Sequence, residues 1–465
     1  SEDLLLSNLI GEVLALGDFK GKEGETLFIY ASGEVDNRLC LLGLGPQEKA
    51  SVEGFRKSFG VLAKGCLSKN FKRINVVVPD VFEINSSEVI QGVAEGLLLT
   101  NYIFHRHKHR DPEEPEDHLI QSIHWITSNP DVLKIVTEIE TVCEAVYYTR
   151  DLVNECADIV TPQYLSDCAK ELARQSNAVK VEIFDRAKIE KEGLDLLLAV
   201  SRGAAVDPSF IIMEYRGNPR SKEKIVLVGK GVTYDTGGLH LKPLGGMETM
   251  KCDMSGAAVC LGAMSAVSKL QMPVNFSIVI PATENGIDAK SYKPGDVYQS
   301  FAGKSVEMTN SDAEGRLILA DGLAYAIKNL HPSCIIDIAT LTGAIEIALG
   351  SEAAGLMSND DTLADELISA GKKCAERLWR MPLYEEYKER LKSDIADLKS
   401  WNGRPAGANV AATFLQHFVK EGIPWAHIDI AATAYLSEGK KYIPKGGTGY
   451  GVRLIIEFLR NRFKV

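Results

Sequence analysis

Short β-rich runs alternate with helical patterns along most of the chain, and no other feature limits its fold as strongly. In the first part, Leu27–Ala31 and Arg38–Leu44 read as strands and Val52–Leu67 as a helix. Ile74–Val78 reads as a buried strand ended by Pro79, and Ser87–His105 as a second helix. Further on, Ile225–Val228, Phe276–Ile280 and Ile335–Ile338 are β-rich runs with helical patterns between them. Leu319, Leu323, Ala326 and Leu330 fall on one helix face, and Pro332 stops that helix near His331. This alternation predicts an α/β chain of two α/β sandwich domains. The larger, C-terminal one is expected to carry a central mixed, mostly parallel sheet.

A chain of 465 residues holds two or three domains at about 150 residues each. The run Asp111-Pro112-Glu113-Glu114-Pro115-Glu116-Asp117 cannot form a packed element and predicts a loop. A strand over His118–Thr127 and a helix over Val132–Asn154 follow. The domain boundary is therefore expected within about four residues of Asn129-Pro130. That gives an N-terminal domain over 1–130 and a catalytic domain over 131–465.

Hydrophobic residues at 45% and charged residues at 25% exclude a disordered chain. The most apolar stretch, Ile335–Leu349, is broken by Asp337 and Glu346, so no run reaches the roughly 18 residues of a membrane span. Ser1-Glu2-Asp3 is acidic where a secretory signal is basic. The nine cysteines include no C-x-x-C pair, which argues against a disulfide framework or zinc knuckle and for a reducing compartment, hence the cytoplasm. A net charge of −11 disfavours nucleic acid as the main partner.

Three segments place polar groups just after buried strands, where α/β sheets build their sites. The first is Lys230-Gly231-Val232-Thr233-Tyr234-Asp235-Thr236-Gly237-Gly238, followed by Lys242. The second, Lys251-Cys252-Asp253-Met254-Ser255, opens a helical run. The third is Asn310-Ser311-Asp312-Ala313-Glu314-Gly315-Arg316-Leu317. Taken singly, Asp253 or Ser255 reads as a helix cap, and Asp312 with Glu314 as a cap and an acidic first turn. Taken together, Asp235, Asp253, Asp312 and Glu314 would be four carboxylates in one site. Two divalent ions would balance their charge, and an oxygen-rich donor set suits manganese, magnesium or zinc. Lys230 beside such a site could lose its proton and ligate as an amine.

These segments resemble the leucine aminopeptidase (cytosol aminopeptidase) family of dinuclear metallopeptidases. The third is close to that family's signature Asn-Thr-Asp-Ala-Glu-Gly-Arg-Leu, with Ser311 in place of Thr. The likeness extends to Arg150-Asp151-Leu152-Val153-Asn154, Trp379-Arg380-Met381-Pro382-Leu383, Trp425-Ala426-His427-Ile428-Asp429 and Gly446-Gly447-Thr448-Gly449. It is clear over residues 145–465 and weak over the first 130.

The resemblance implies that Lys230, Asp235, Asp253 and Glu314 hold one metal ion. Asp235, Asp312 and Glu314 would hold the other, the ions being zinc or manganese, with magnesium or cobalt as further candidates. Lys242 and Arg316 match the two catalytic cations, Arg316 holding a bicarbonate. Met250, Asn310, Thr340, Leu341 and Gly343 match positions lining the substrate pocket, although Met250 reads equally well as core. The family implies removal of an N-terminal, Leu-like residue from peptides with a free N-terminus, and a homohexamer. A regulatory or nucleic-acid-binding protein on the same scaffold is the alternative.

Tyr234-Asp235-Thr236 replaces the usual Phe-Asp-Ser, and His240 stands where Ser is common. His240 reads as pointing away from the site, the other reading being a role in the pH profile. Cys252 beside Asp253 suggests sensitivity to thiol reagents. The alternating His105, His107 and His109 read as a solvated helix face.

Overall fold

The computed structural model describes residues 10–30, 38–109 and 119–464. The start at Ser1-Glu2-Asp3 and the run Asp111–Asp117 lie outside the described residues. Two compact units emerge. One comprises Ser1–Glu144 with Glu438–Lys445, the other Ala145–Ser437 with Gly446–Val465.

In the first unit, strand β1 (Thr26–Tyr30) pairs antiparallel with β2 (Arg38–Leu42), and β3 (Arg73–Val77) pairs parallel with β4 (Ser122–Ile126). Among the described residues these are two separate ladders rather than one sheet. Helices Val52–Ser68 and Ser86–Thr100 pack on each other. They touch closely because Gly92 and Gly96 lack side chains: a Cβ there would lie 2.7 and 2.5 Å from the carbonyl oxygens of Val52 and Arg56. The second helix ends at Thr100, short of His105. Asn101 stops it, its side chain exchanging two hydrogen bonds of 2.9 Å with the backbone of Ile120. His105 and His109 therefore share no helix face.

The second unit is built on a nine-stranded sheet. Its strands are β5 (Val179–Phe184), β6 (Ser209–Arg216), β7 (Ile225–Gly229), β8 (Gly231–Asp235) and β9 (Asn275–Asn285). Two short strands, β10 (Val297–Gln299) and β11 (Ser305–Glu307), belong to a separate small sheet. Then come β12 (Cys334–Ala339), β13 (Ala354–Ser358) and β14 (Leu378–Arg380). The small sheet's β15 (Leu398–Lys399) follows, and β16 (Trp425–Asp429) completes the large one. The order across the large sheet is β14-β13-β16-β12-β7-β9-β6-β5, with β8 paired to β9. Five of its eight pairings are parallel, so it is mixed and mostly parallel.

Its central strands β7 and β12 are buried at every residue. Such continuous apolar runs belong to strands covered on both faces. Helices Ser255–Lys269 and Glu314–Leu330 pack on them. The latter stops where expected, His331 taking a left-handed conformation (φ +50°) before Pro332. No helix among the described residues is long and apolar enough to cross a membrane.

Candidate metal centre

The parallel strands β7, β12 and β16 end on one edge of the sheet, and the polar segments follow directly. Lys230 comes immediately after β7, Thr340 after β12, and Asp429 closes β16. The backbone is drawn tight here. A Cβ on Gly229 would stand 2.5 Å from the Gly256 carbonyl oxygen, and one on Gly256 2.4 Å from that of Ile338. Only glycine allows this approach, and it brings the start of helix Ser255–Lys269 against the strand ends.

The acidic residues are spent on one another's cations, not on helix caps. Neither helix Ser255–Lys269 nor helix Glu314–Leu330 has a side-chain cap. Asp253 instead accepts Thr340 Oγ1 at 2.8 Å on Oδ1, and its Oδ2 is buried without a partner. The Lys230 ammonium meets three acceptors: Asp253 Oδ1 at 2.7 Å, Glu314 Oε1 at 2.8 Å and the Thr340 carbonyl at 2.9 Å. The Lys242 ammonium bridges Asp235 Oδ2 at 2.8 Å and Asp312 Oδ1 at 2.6 Å. Asp235 Oδ1 accepts the Asn285 side-chain amide at 2.8 Å and the Gly237 N–H at 2.9 Å. Asp235, Asp312 and Glu314 each offer an oxygen within 4.8 Å of the others.

Burial raises the carboxyl groups of Asp235 and Asp253, with neighbouring carboxylates adding to it. Asp312, 34% exposed, is pushed up to about 6 by desolvation and by Glu314 and Asp235. Glu314 goes the other way. Burial opposes its charge, but Lys230 and Lys242 outweigh it and hold the carboxylate below its ordinary value. For both lysines desolvation acts downward, and the surrounding carboxylates override it to raise them. Fully ionised, four carboxylates, all but Asp312 buried, against two ammoniums would leave an excess of two negative charges.

Arg316 is buried, donates from Nη1 to the Ser400 carbonyl at 3.0 Å, and leaves its Nε–H buried without an acceptor. Burial pushes it down to about 10, so it stays charged at neutral pH. Thr340, Leu341 and Gly343 follow β12 into helix Gly343–Leu349. Met250 opens a 3-10 turn over Met250–Met254 and is half-buried, outside the main core. Asn310 accepts the Asp312 N–H at 3.0 Å. Cys252 is buried, and desolvation with Asp253 beside it pushes the thiol up to about 12. It stays protonated, and the expected reactivity toward thiol reagents loses its basis.

Two contributors receive no role from the sequence, although Asp429 closes one of its motifs. Asn285, at the end of β9, joins Asp235 to the Ser311 carbonyl, which its amide reaches at 3.0 Å. Its place at a strand end was a usable signal. Asp429 takes Leu341 N–H at 3.0 Å and Thr342 Oγ1 at 2.7 Å, so it fixes the segment after β12. His240 is exposed, and its Nδ1 accepts the Ser311 N–H at 3.1 Å.

These features define a class: an α/β enzyme with an acidic centre at the C-terminal ends of its parallel strands. Residues 147–456 match the cytosol aminopeptidase family catalytic domain, and residues 3–111 that family's N-terminal domain. A probable cytosol aminopeptidase of Protochlamydia amoebophila is 59% identical, covering 97% of this chain and 90% of its own. One from Chlamydia abortus is 44% identical, covering 96% and 90%. Among solved structures, the bottromycin maturation enzyme BotP in complex with Mn aligns with a TM-score of 0.88 at 33% identity, covering 96% of this chain and 95% of that one. A point mutant of tomato leucine aminopeptidase gives 0.87 at 33%, covering 99% and 88%. The chain belongs to the cytosol aminopeptidase family and is an aminopeptidase, a hydrolase of the metallo-exopeptidase kind.

Proposed function

We propose that the chain is a dimetal-dependent aminopeptidase that removes a Leu-like N-terminal residue from peptides. The carrying observation is the donor set: the buried Asp235 and Glu314 and the exposed Asp312, with oxygens within 4.8 Å of one another, beside an Asp253 oxygen that has no partner. An excess of buried negative charge fits divalent cations, and an oxygen-rich set with one amine fits zinc or manganese, with magnesium or cobalt as further candidates. The BotP complex with Mn supports that reading.

Lys230, Asp235, Asp253 and Glu314 would hold one ion, and Asp235, Asp312 and Glu314 the other. Asp235 and Glu314 would be shared. When bound, the ions supply a water activated at neutral pH, a ligand position for the substrate α-amine and positive charge beside the scissile carbonyl. Lys230 would then bind as the neutral amine, because cations on its carboxylates remove what holds its proton. Lys242, oriented by Asp235 and Asp312, donates to the carbonyl oxygen and to the oxyanion that forms from it. Arg316 cannot act as a base. Its unsatisfied Nε–H suits a bidentate oxyanion, and a bicarbonate there would accept and return the proton. Thr340, Leu341, Gly343, Met250 and Asn310 would line the substrate pocket.

Residues 1–130 would be the N-terminal domain supporting a cytoplasmic homohexamer, and 131–465 the catalytic domain. Sedimentation of the intact protein measures the assembly.

Hydrolysis of leucyl-p-nitroanilide tests the reading. Exhaustive chelation should abolish it and manganese or zinc restore it, while phenyl phosphate stays intact. Glu314→Ala, lacking a shared ligand, should lose turnover at unchanged fold. Full activity after chelation would overturn the proposal. Salt-sensitive binding of duplex DNA without peptide hydrolysis would favour the regulatory alternative.

A further inference from the structure

The turn that carries Lys242 has little to hold it. Gly237 and Gly238 sit at φ +86° and +63°, where the backbone is most permissive, and Leu239, Leu241 and Leu244 are exposed rather than packed. Apolar burial therefore does not fix this segment. Lysine itself has four rotatable bonds, and its ammonium is useful only if its backbone stays put.

Polar contacts to one buried residue close the turn instead. The Lys242 N–H donates to the Thr236 carbonyl at 3.0 Å, making the turn a ring. Ser311 then grips that ring at three points. Its hydroxyl donates to the Gly237 carbonyl at 2.7 Å, and the same oxygen accepts the His240 N–H at 2.8 Å. Its own N–H donates to His240 Nδ1 at 3.1 Å, and its hydroxyl oxygen lies 3.1 Å from the same ring nitrogen. Ser311 is itself anchored, its carbonyl accepting the Tyr292 hydroxyl at 2.7 Å and the Asn285 amide at 3.0 Å. Contact is close enough that a Cβ on Gly238 would stand 2.9 Å from Ser311 Cβ. Asp312, which Lys242 meets at 2.6 Å, is the next residue along the chain.

We propose that His240 is a positioning residue: with Ser311 it latches the Thr236–Lys242 turn onto the Asn310–Asp312 segment and so fixes the Lys242 ammonium at Asp235 and Asp312. This rests on the role given to Lys242 in the proposed reaction. His240 touches no reacting group; it acts through the lysine two residues on. Without its side chain the Ser311 N–H loses its acceptor, and of the turn's contacts to Ser311 only the two from its backbone to the hydroxyl remain.

The test uses the full-length, metal-loaded protein and two variants. His240→Ala should lower kcat on leucyl-p-nitroanilide by about 10- to 100-fold, the range expected of a displacement near 1 Å, with KM changed less than about twofold. His240→Asn, whose side-chain carbonyl can take the Ser311 N–H, should recover most of that loss. Hydrogen exchange at the Ser311 amide should quicken in the Ala variant and return toward wild type in the Asn variant, with bound metal and melting temperature unchanged. Wild-type kcat in His240→Ala would overturn the proposal. So would a loss that tracks melting temperature or metal content and is not recovered by Asn. If the wild-type protein hydrolyses no leucyl-p-nitroanilide, the proposed Leu-like preference fails by itself. The exchange measurement then still decides the latch, and unchanged Ser311 protection overturns it.

Discussion

At the scale of the residue, the centre depends on atoms that are missing as much as on those present. Gly315, the second residue of its helix, lies against Lys230: a Cβ there would stand 2.6 Å from Lys230 Cε and 2.8 Å from Nζ. An alanine would ordinarily help a helix by about 0.5–1 kcal/mol. Here it would push Lys230 off three acceptors that it meets at 2.7–2.9 Å. Gly315→Ala should therefore lower the melting temperature, since it unpairs buried charges, and lose at least about tenfold in kcat. Steady-state kinetics beside a thermal melt checks both, and unchanged kcat would show that Lys230 has no fixed role. The signature segment pointed to Glu314 and Arg316, but it could not reveal that the glycine between them is a steric allowance for a lysine 85 residues earlier in the chain.

At the scale of the element, most helices and strands lie where the sequence pattern puts them. The Val132–Asn154 helix agrees at both ends, and Pro332 stops Glu314–Leu330 as local sterics require. The second helix of the N-terminal unit ends five residues early. Its stop signal is not local, since Asn101 is satisfied by Ile120, nineteen residues away. Helix Glu314–Leu330 carries a second long-range device. Asp321 is fully buried and accepts the N–H groups of Leu196, Leu197 and Phe301, fixing the start of helix Asp195–Val200. Burial dominates and pushes its carboxyl from 3.8 to about 7, against those three donors. A group raised in the folded state contributes stability in full below its unfolded value and loses it as pH rises. The protein should therefore lose stability from about pH 4 to pH 7 through this residue, with no further change above. Denaturant midpoints of the wild type and Asp321→Asn over that range measure it. An unaltered slope in the variant would rule Asp321 out as the titrating group.

At the scale of the whole molecule, four carboxylates and two lysines from distant segments form one acidic pocket. The opposing charges are buried, so removing a balancing cation costs more than at a surface. Ions that bind the folded but not the unfolded chain stabilise it by about 2.7 kcal/mol at one hundred times their dissociation constant. Chelated protein should melt below protein reloaded with manganese or zinc. Equal melting temperatures, with metal shown to be present in one sample only, would count against these carboxylates as its ligands.

Sequence alone determined the alternation of elements, the class of fold, the continuous apolar strands of the central sheet and the residue types able to hold metal. Each of these rests on periodicity, propensity or a short motif, physics that acts within a few residues. The tertiary structure decided which polar groups meet. Capping was a sound reading of Asp253 from its neighbours, and it lost because Lys230 and Thr340 offered it charge and a hydrogen bond across the fold. Asp429 setting the segment after β12, and His240 gripping Ser311, are likewise contacts between residues 88 and 71 positions apart. Only packing the sheet, with glycines at its close approaches, brings such groups within hydrogen-bonding distance.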